Sequence, residues 1–160
     1  MSDNKPKIGV VGAGHLGRHH IKHLSQHSGV EFVGVFDVNK ESLRNVCGEF
    51  SVEPLQSLEQ LISLCDGVHI VTPTNTHFNI AKEFLNHKKD VFIEKPITNT
   101  VKEAESLIDL AKKNKCIIQV GHIERFNPTI NKLKELVENP RYIDIEGQEH
   151  KRPLLDKEQG

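Results

Sequence analysis

A glycine-rich turn near the start of the chain constrains its fold more than any other feature. Residues Gly12 to Gly17 read G-x-G-x-x-G and directly follow the apolar run 8–11. A helical pattern comes next, because Gly17, Ile21 and Leu24 recur at the spacing of one helix face. Strand, glycine turn and helix in this order predict the first β-α unit of a parallel sheet.

Short apolar runs alternate with helix-period segments along the rest of the chain. We predict strands at 7–11, 30–36, 66–71, 90–93 and 116–120, with a further β-rich stretch at 142–146. Helix starts are predicted from three capping patterns, Ser57 with Gln60, Thr100 with Glu103, and Asn127 with Pro128. This alternation predicts an α/β fold of the Rossmann type, a doubly wound and mostly parallel sheet with helices on both faces.

The glycine turn has the chemistry of a phosphate site. Gly12 permits a tight turn, Gly14 lets the backbone approach a pyrophosphate, and Gly17 allows the helix to pack closely on the strand. His15 and Leu16 lie at the start of the helix, where backbone N–H groups and the helix dipole attract phosphate. The alternative interpretation is a turn that is rich in glycine for packing alone.

An acidic residue stands where a dinucleotide site needs one. Asp37 lies twenty positions after Gly17, at the end of the apolar run 32–36. Its carboxylate would accept hydrogen bonds from the hydroxyls of an adenosine ribose and would repel a 2′-phosphate, and the nearest following basic residue is Lys40. The pattern therefore predicts NAD rather than NADP as the cofactor. Alternatively, or in addition, Asp37 caps the turn before a helix at 39–48.

Composition argues against several other classes of protein. The 160 residues carry 21 Lys and Arg against 22 Asp and Glu, so no charge excess indicates nucleic acid or an anionic membrane as a partner. No apolar run reaches the roughly 20 residues of a membrane-spanning helix, and the N-terminus lacks the apolar core of a signal peptide. The three cysteines are scattered and odd in number, which favours reduced thiols and a cytoplasmic location.

Polar clusters follow three of the predicted strands. They are Thr72-Pro73-Thr74 with His77 after strand 66–71, Glu94-Lys95-Pro96 after strand 90–93, and Gly121 to Pro128 after strand 116–120. Ligands of open α/β sheets bind beyond the carboxyl ends of the strands. We therefore expect these clusters to converge on one crevice with the glycine turn and Asp37.

Taken in order, these motifs resemble the N-terminal half of the Gfo/Idh/MocA (glucose-fructose oxidoreductase/inositol dehydrogenase) family. The matching segments are GAGHLG, FD, VTPTNTH, EKP and GHIERFNP, spread over about residues 5–146. The last segment further resembles members that act on nucleotide-linked amino sugars at C3. The resemblance implies an NAD-dependent oxidoreductase that transfers a hydride between NAD and a secondary alcohol of a sugar, sugar nucleotide or cyclic polyol.

The resemblance gives the catalytic role to Lys95, beside the nicotinamide and the reacting carbon. An ammonium group near the substrate hydroxyl would polarise it and relay its proton as the hydride leaves. Glu94 is expected on the cofactor side of the same pocket. The alternative for Lys95 is a solvated surface residue, the ordinary environment of a lysine.

Four residues of the VTPTNTH segment are expected to frame the nicotinamide ribose and the pyrophosphate, partly through their backbone groups. They are Thr72, Pro73, Thr74 and His77. His77 has an alternative, a local hydrogen bond near the start of a helix. The resemblance thus places this segment between the phosphate turn and the reacting end of the cofactor.

His122 and Arg125 are the candidates for contact with the nicotinamide or the substrate. An arginine would suit a phosphate linked to a sugar, because its guanidinium forms bidentate hydrogen bonds with phosphate oxygens. Arg125 has an alternative, an ion pair with a carboxylate such as Glu124 or Glu94. Both interpretations stay open at the level of the sequence.

Histidines recur every four residues along the first helix. They are His15, His19, His23 and His27. Imidazoles at this spacing can share a transition metal, yet no glutamate follows the first histidine of any pair and no third ligand is evident. We interpret them as solvated helix histidines and predict no metal site. His20 and His87 are given no role.

The resemblance also implies a second α/β domain, which supplies substrate contacts, a catalytic aspartate and histidine, and the usual subunit interface. We interpret residues 1–146 as the dinucleotide-binding domain and residues 147–160 as a polar tail or the start of a truncated second domain, the rest of which is absent. We therefore expect the 160 residues to bind NAD but to turn over slowly or not at all. A full-length form is expected to be a homo-oligomer.

Two other functions are compatible with the motifs. One is a non-catalytic module that binds NAD(H) and regulates a partner, which the missing aspartate and histidine favour. The intact EKP segment favours the enzyme instead, since sensing alone needs no lysine there. The other is a relative of the bilin reductases, which the GHIERFNP segment fits poorly.

Overall fold

The computed structural model describes residues 5–137, which contain a five-stranded parallel sheet with strand order β2-β1-β3-β4-β5. The strands are β1 (Lys7–Val11), β2 (Glu31–Phe36), β3 (Gly67–Ile70), β4 (Asp90–Ile93) and β5 (Ile118–Val120). All five lie where the sequence predicts strands, with β5 beginning two residues later. The predicted stretch at 142–146 lies outside the described residues.

Helices follow each of the first four strands. They are α1 (His15–Gln26), α2 (Lys40–Phe50), α3 (Leu58–Leu64), α4 (Thr74–Asn86) and α5 (Val101–Asn114), with a 3-10 turn (Ile123–Phe126) and α6 (Pro128–Leu136) after β5. None of the described helices is long and apolar enough to cross a membrane. The alternation of parallel strands and helices confirms the predicted Rossmann-type fold.

Two apolar clusters cover the two faces of the sheet. Val10 packs in one cluster with Ile21 of α1 and Leu43 of α2, whereas its neighbour Val11 packs in the other with Phe84 of α4. Successive side chains of a strand point to opposite faces, so β1 is buried on both sides. The prediction of helices on both faces is therefore confirmed.

The described residues up to His122 belong to one compact unit, and those from Ile123 to Val137 belong to another. Within the second unit, Asn127 caps α6 by accepting a hydrogen bond from the Thr129 N–H at 3.0 Å, and Pro128 is the first helical residue. This confirms the helix start predicted at that position. The predicted domain boundary after residue 146 lies outside the described part of the chain.

The two predicted capping boxes differ. At α5 both hydrogen bonds of the box form between Thr100 and Glu103. At α3 Ser57 accepts from the Gln60 N–H at 3.2 Å, but the Gln60 side chain accepts from the Gln56 N–H at 2.7 Å instead of from Ser57. The reciprocal box predicted at Ser57 is therefore wrong, because the glutamine amide reaches one residue further back along the chain.

Candidate functional site

The predicted site residues lie along one edge of the sheet, where the carboxyl ends of the parallel strands meet. In spatial order they are Asp37 after β2, the glycine turn after β1, Thr72 after β3, Lys95 after β4 and His122 after β5. Neighbouring strands lie about 4.8 Å apart, so the ends of β2 and β4 are separated by about 14 Å. The row crosses the point between β1 and β3 at which the strand order reverses, where open α/β sheets bind extended ligands.

Two glycines of the turn are required by the packing of the chain itself. Gly12 has a φ of +109°, and a Cβ on it would overlap the backbone carbonyl of Val71. A Cβ on Gly17 would overlap the carbonyl of Gly12. Gly17 therefore lets the helix approach the turn itself, a closer contact than the helix-on-strand packing that the sequence suggested.

Gly14 is different, because nothing in the described chain requires a glycine there. Its φ of −72° is open to any residue, and no atom lies within 4 Å of the position that a Cβ would take. Gly14 is also the N-cap of α1, which has no side-chain cap and no acidic residue in its first turn. The turn thus leaves open space in front of a helix N-terminus, an arrangement that fits the pyrophosphate of a dinucleotide.

The residues after Gly14 expose their side chains to solvent. Leu16 is 42% exposed, and the His15 ring packs edge-on against the His19 ring at 5.3 Å between centroids. His15 is also the first residue of α1, so its N–H is one of the groups at the helix N-terminus. This placement agrees with the expectation that His15 and Leu16 serve through their N–H groups.

Asp37 joins the glycine turn to the start of α2. Its Oδ2 accepts from the Ala13 N–H at 2.6 Å and its Oδ1 accepts from the Asn39 N–H at 2.7 Å, while Asn39 caps α2. The alternative role of Asp37 as a turn cap is therefore confirmed. It does not exclude a ribose contact, since a carboxylate has about four acceptor sites and two are used here.

Glu94 and Lys95 have opposite environments although they are neighbours. Glu94 is 3% exposed, whereas Lys95 is exposed at the sheet edge and is joined to Pro96 by a cis peptide bond. Glu94 accepts from the Lys95 N–H at 3.2 Å and is hydrogen-bonded to His20 of α1 at 3.1 Å. The buried carboxylate thus anchors the backbone of Lys95, while the lysine side chain is exposed to solvent.

His77 lies inside the protein rather than in the open crevice. It is 1% exposed, and its ring lies 2.8 Å from the Thr72 carbonyl oxygen through Nε2 and 3.0 Å from the Pro96 carbonyl oxygen through Nδ1. The first contact is the local hydrogen bond considered above, and the second reaches the EKP segment. Both nitrogens face backbone, so His77 acts on the site through the two loops that it connects.

Replacing His77 with leucine should lower the free energy of unfolding by about 1–3 kcal/mol, because the carbonyl group that accepts from the imidazole N–H loses its donor. Urea unfolding monitored by circular dichroism measures this loss. His87→Leu is the control, since it removes a half-exposed histidine from the end of the same helix. Equal stabilities of the two variants would contradict the bridging role of His77.

Comparison with known protein families identifies the family to which the chain belongs. Residues 6–122 match the Gfo/Idh/MocA family, described as an oxidoreductase family with an NAD-binding Rossmann fold. The chain belongs to the Gfo/Idh/MocA family. The matched range takes in all five strand ends that carry the site, and the prediction of NAD as cofactor is confirmed at the level of the family.

Relatives within the Gfo/Idh/MocA family include sugar and polyol dehydrogenases. The chain is 37% identical over 141 residues to a UDP-N-acetylglucosamine 3-dehydrogenase of Acidithiobacillus ferrooxidans, covering 88% of the chain and 44% of that protein. A solved structure of that enzyme, 36% identical, matches with a TM-score of 0.77 over 82% of the chain and 42% of its own length. The chain is also 30% identical over 158 residues to a myo-inositol 2-dehydrogenase of Thermotoga maritima, covering 94% of the chain and 47% of that protein.

The fold extends to more distant structures. GenD2 from gentamicin A biosynthesis, solved in complex with NAD, has a TM-score of 0.79 at 22% identity and covers 83% of the chain and 39% of that protein. At this identity the likeness concerns the fold alone. The chain spans less than half the length of each of these proteins.

The VTPTNTH segment of this Gfo/Idh/MocA chain forms the start of α4. Thr72 is half-buried at the end of β3, and its Oγ1 accepts from the Thr76 hydroxyl at 2.7 Å. Pro73 is exposed as the N-cap of α4 and Thr74 is its first residue, without a side-chain cap. These positions agree with a site framed largely by backbone groups.

The two residues expected near the substrate are both exposed. His122 follows β5, and its N–H donates to the Val120 carbonyl at 2.7 Å. Arg125 lies in the 3-10 turn of the second unit, where Glu124 accepts from the Asn127 side chain at 2.8 Å. An ion pair between Arg125 and Glu124 is not formed among the described residues, which leaves the guanidinium as a candidate for an anionic group.

Two histidine features bear on the site. The column on α1 does not gather ligands, because residues 5–137 hold no group of three His, Cys, Asp or Glu side chains able to bind a metal. His20, which the sequence left without a role, lies 3.0 Å from His69 of β3 through its Nδ1 and contacts Glu94 through its Nε2. The sequence could not predict these contacts of His20, because His69 and Glu94 are 49 and 74 positions away from it along the chain.

Burial controls the charge of these two histidines. It lowers the pKa of His20, although Glu94 opposes the shift. It lowers the pKa of His69 to about 4, with a smaller contribution from His20. His69, which also stacks on Phe92 at 4.4 Å between ring centroids, is therefore neutral near pH 7.

His69 should make the fold sensitive to acid. Its pKa is 6.5 in the unfolded chain and about 4 when folded, so its contribution to stability is complete above pH 6.5 and is lost as the pH falls toward 4. Between pH 7 and pH 5 the wild type should lose about 2 kcal/mol more than His69→Gln, which does not titrate. Urea unfolding at the two pH values measures the difference. The exposed His23→Gln should keep the wild-type loss, and an identical loss in His69→Gln would contradict the argument.

Proposed function

We propose that this chain is the NAD-binding part of a dehydrogenase that oxidises a ring secondary alcohol, with Lys95 as the residue that relays the proton. The observation that carries the proposal is the row of groups along one sheet edge. The open turn at Gly14 suits a pyrophosphate, Asp37 lies to one side of it, and exposed Lys95 lies to the other. A dinucleotide laid along this edge places its adenosine ribose at Asp37 and its nicotinamide toward Lys95.

NAD supplies the hydride acceptor, and the chain supplies binding, orientation and a path for the proton. The Gly12 and Ala13 N–H groups donate to the Phe36 carbonyl and to Asp37, so the N–H groups from Gly14 to Gly17 at the start of α1 would hold the pyrophosphate, and Asp37 would accept from the adenosine ribose. The loop that begins at Thr72 frames the nicotinamide ribose. With these contacts, the nicotinamide would lie toward the ends of β3 and β4, on the side of Lys95.

Lys95 is the group placed to manage the hydroxyl proton. The Nζ of Lys95 would polarise the substrate hydroxyl and relay its proton to solvent as the hydride passes from the same carbon to NAD. The exposure of Lys95 provides contact with both substrate and water. Its buried neighbour Glu94 keeps the backbone in place during this exchange.

The substrate class follows from the relatives and from two residues. The named relatives act on UDP-N-acetylglucosamine and myo-inositol, both of which carry secondary alcohols on a ring. We place His122 and Arg125 on the substrate side, where Arg125 would bind a phosphate of a sugar nucleotide. The full protein is proposed to be cytoplasmic and homo-oligomeric, with neither nucleic acid nor membrane as a partner.

The activity is tested by NADH formation from UDP-N-acetylglucosamine and myo-inositol. The 160-residue chain is compared with a form that continues past Gly160, because the relatives are more than twice as long. Turnover with the sugar nucleotide in either form supports the proposal. Absence of NADH formation in both forms, with NAD bound, would favour the regulatory module instead.

A further inference from the structure

A buried chain of three side chains lies behind the Lys95 loop. His69 of β3, His20 of α1 and Glu94 at the end of β4 are linked in series, and we refer to them as the His–His–Glu chain. The His69 Nδ1 lies 3.0 Å from the His20 Nδ1, and the His20 Nε2 lies 3.1 Å from Glu94 Oε1. The side chains of His20 and Glu94 are only 13% and 4% exposed.

The chemistry of the three groups fixes the direction of the hydrogen bonds. A carboxylate only accepts, so the His20 Nε2 carries a proton and donates it to Glu94. A neutral His20 then has a bare Nδ1, and His69 must donate to it from its own Nδ1. The hydrogen bonds therefore run from His69 to His20 to Glu94.

The other end of the carboxylate meets the backbone of Lys95. Glu94 Oε2 accepts from the Lys95 N–H at 3.2 Å. The carboxylate also fills the space beside Gly121 at the end of β5, since a Cβ there would lie 2.6 Å from Oε1 and 2.9 Å from Oε2. Glu94 is thus held by α1, by its own strand end and by β5.

We propose that the His–His–Glu chain positions Lys95 for hydride transfer by tying its backbone to α1. Helix α1 begins at the glycine turn, so the bond between His20 and Glu94 connects the phosphate end of the NAD site to its reacting end. The inference rests on the function proposed above. His20, His69 and Glu94 are positioning residues that act through Lys95.

Two substitutions of Glu94 distinguish a role in positioning the Lys95 backbone from a role in filling space. Glu94→Gln keeps the shape and can preserve all hydrogen bonds if the chain reverses, with the amide donating to the His20 Nε2 and the His20 Nδ1–H donating to His69. Glu94→Met has a similar size but no acceptor for Lys95. His20→Leu provides a second break in the chain, and His23→Leu on the exposed face of α1 is the matched control.

Nuclear magnetic resonance of the 160-residue chain measures the tautomer of His20 and the protection of the Lys95 amide. The imidazole nitrogen signals should show His20 protonated at Nε2 in the wild type and at Nδ1 in Glu94→Gln. The Lys95 amide should exchange with solvent about tenfold faster in Glu94→Met, but not in Glu94→Gln or His23→Leu. Unchanged tautomers in Glu94→Gln together with unchanged exchange in Glu94→Met would overturn the network.

Titration with NADH connects the network to the cofactor. In the wild type, bound NADH should shift the Lys95 Cε signal, and this shift should fall by at least half in Glu94→Met and in His20→Leu, while the Kd for NADH changes less than about threefold. Equal shifts in all variants would overturn the positioning role alone. A wild-type chain that does not bind NADH would instead overturn the proposed function on which the inference rests.

Discussion

Replacing Lys95 with methionine is expected to lower the rate of hydride transfer by about 100- to 10,000-fold, the usual contribution of a positioned acid or base. Methionine keeps most of the length of the side chain and removes only the Nζ that handles the proton. Because Lys95 is exposed, the fold should not change. The Kd for NAD should change less than about threefold, since the proposed pyrophosphate and adenosine contacts are with residues that follow β1 and β2.

Single-turnover formation of NADH, followed by its absorbance, measures this loss. The rate is measured in the 160-residue chain or in the form that continues past Gly160, whichever of the two shows turnover. Lys113→Met is the matched control, because Lys113 is exposed in the last turn of α5, the end of that helix remote from the carboxyl ends of the strands. A Lys95→Met variant that retains more than a tenth of the wild-type rate would remove Lys95 from the mechanism.

Replacing Gly14 with alanine should weaken NAD binding by about 10- to 100-fold, the usual cost of steric overlap in a packed site. The added methyl group meets no atom of the described chain and occupies the space assigned to the pyrophosphate. The free energy of unfolding should change by less than about 1 kcal/mol, because alanine restricts the unfolded chain but is a poorer N-cap residue than glycine. A large loss of affinity with a small change in stability is the signature of a glycine kept for a ligand.

Calorimetric titration of Gly14→Ala measures its affinity for NAD, and urea unfolding measures its stability. Gly48→Ala is the control, since Gly48 also has open space around its Cβ position but lies within α2. It should raise stability by about 0.5–1 kcal/mol and leave NAD affinity unchanged. Wild-type affinity in Gly14→Ala would show that the turn does not receive the pyrophosphate.

The sheet and the order of the site residues could be predicted because their signals are local. The G-x-G-x-x-G spacing, the run before it and the acid at position 37 all belong to one β-α-β unit. Parallel strands then carry every following loop to the same edge. This is why Thr72 and Lys95, 23 positions apart in sequence, were expected in one crevice and lie at neighbouring strand ends.

The buried residues that contact the site residues could not be predicted, because these contacts join elements that are distant in sequence. Nothing near His20 indicates that it meets Glu94, and the alternation of β3 does not show that His69 faces α1. His77 was expected near the strand ends, but the contact of its ring with the Pro96 carbonyl joins residues 19 positions apart. Local patterns identify the residues at the strand ends, whereas their partners require the packed structure.

The central claim is that this chain binds NAD along the row from Asp37 through Gly14 to Lys95. Isothermal titration of the wild-type chain with NAD and with NADP tests it most directly. We expect one NAD site per chain and binding of NADP weaker by about tenfold or more, because the 2′-phosphate would approach the Asp37 carboxylate. Absence of NAD binding, or tighter binding of NADP than of NAD, would contradict it.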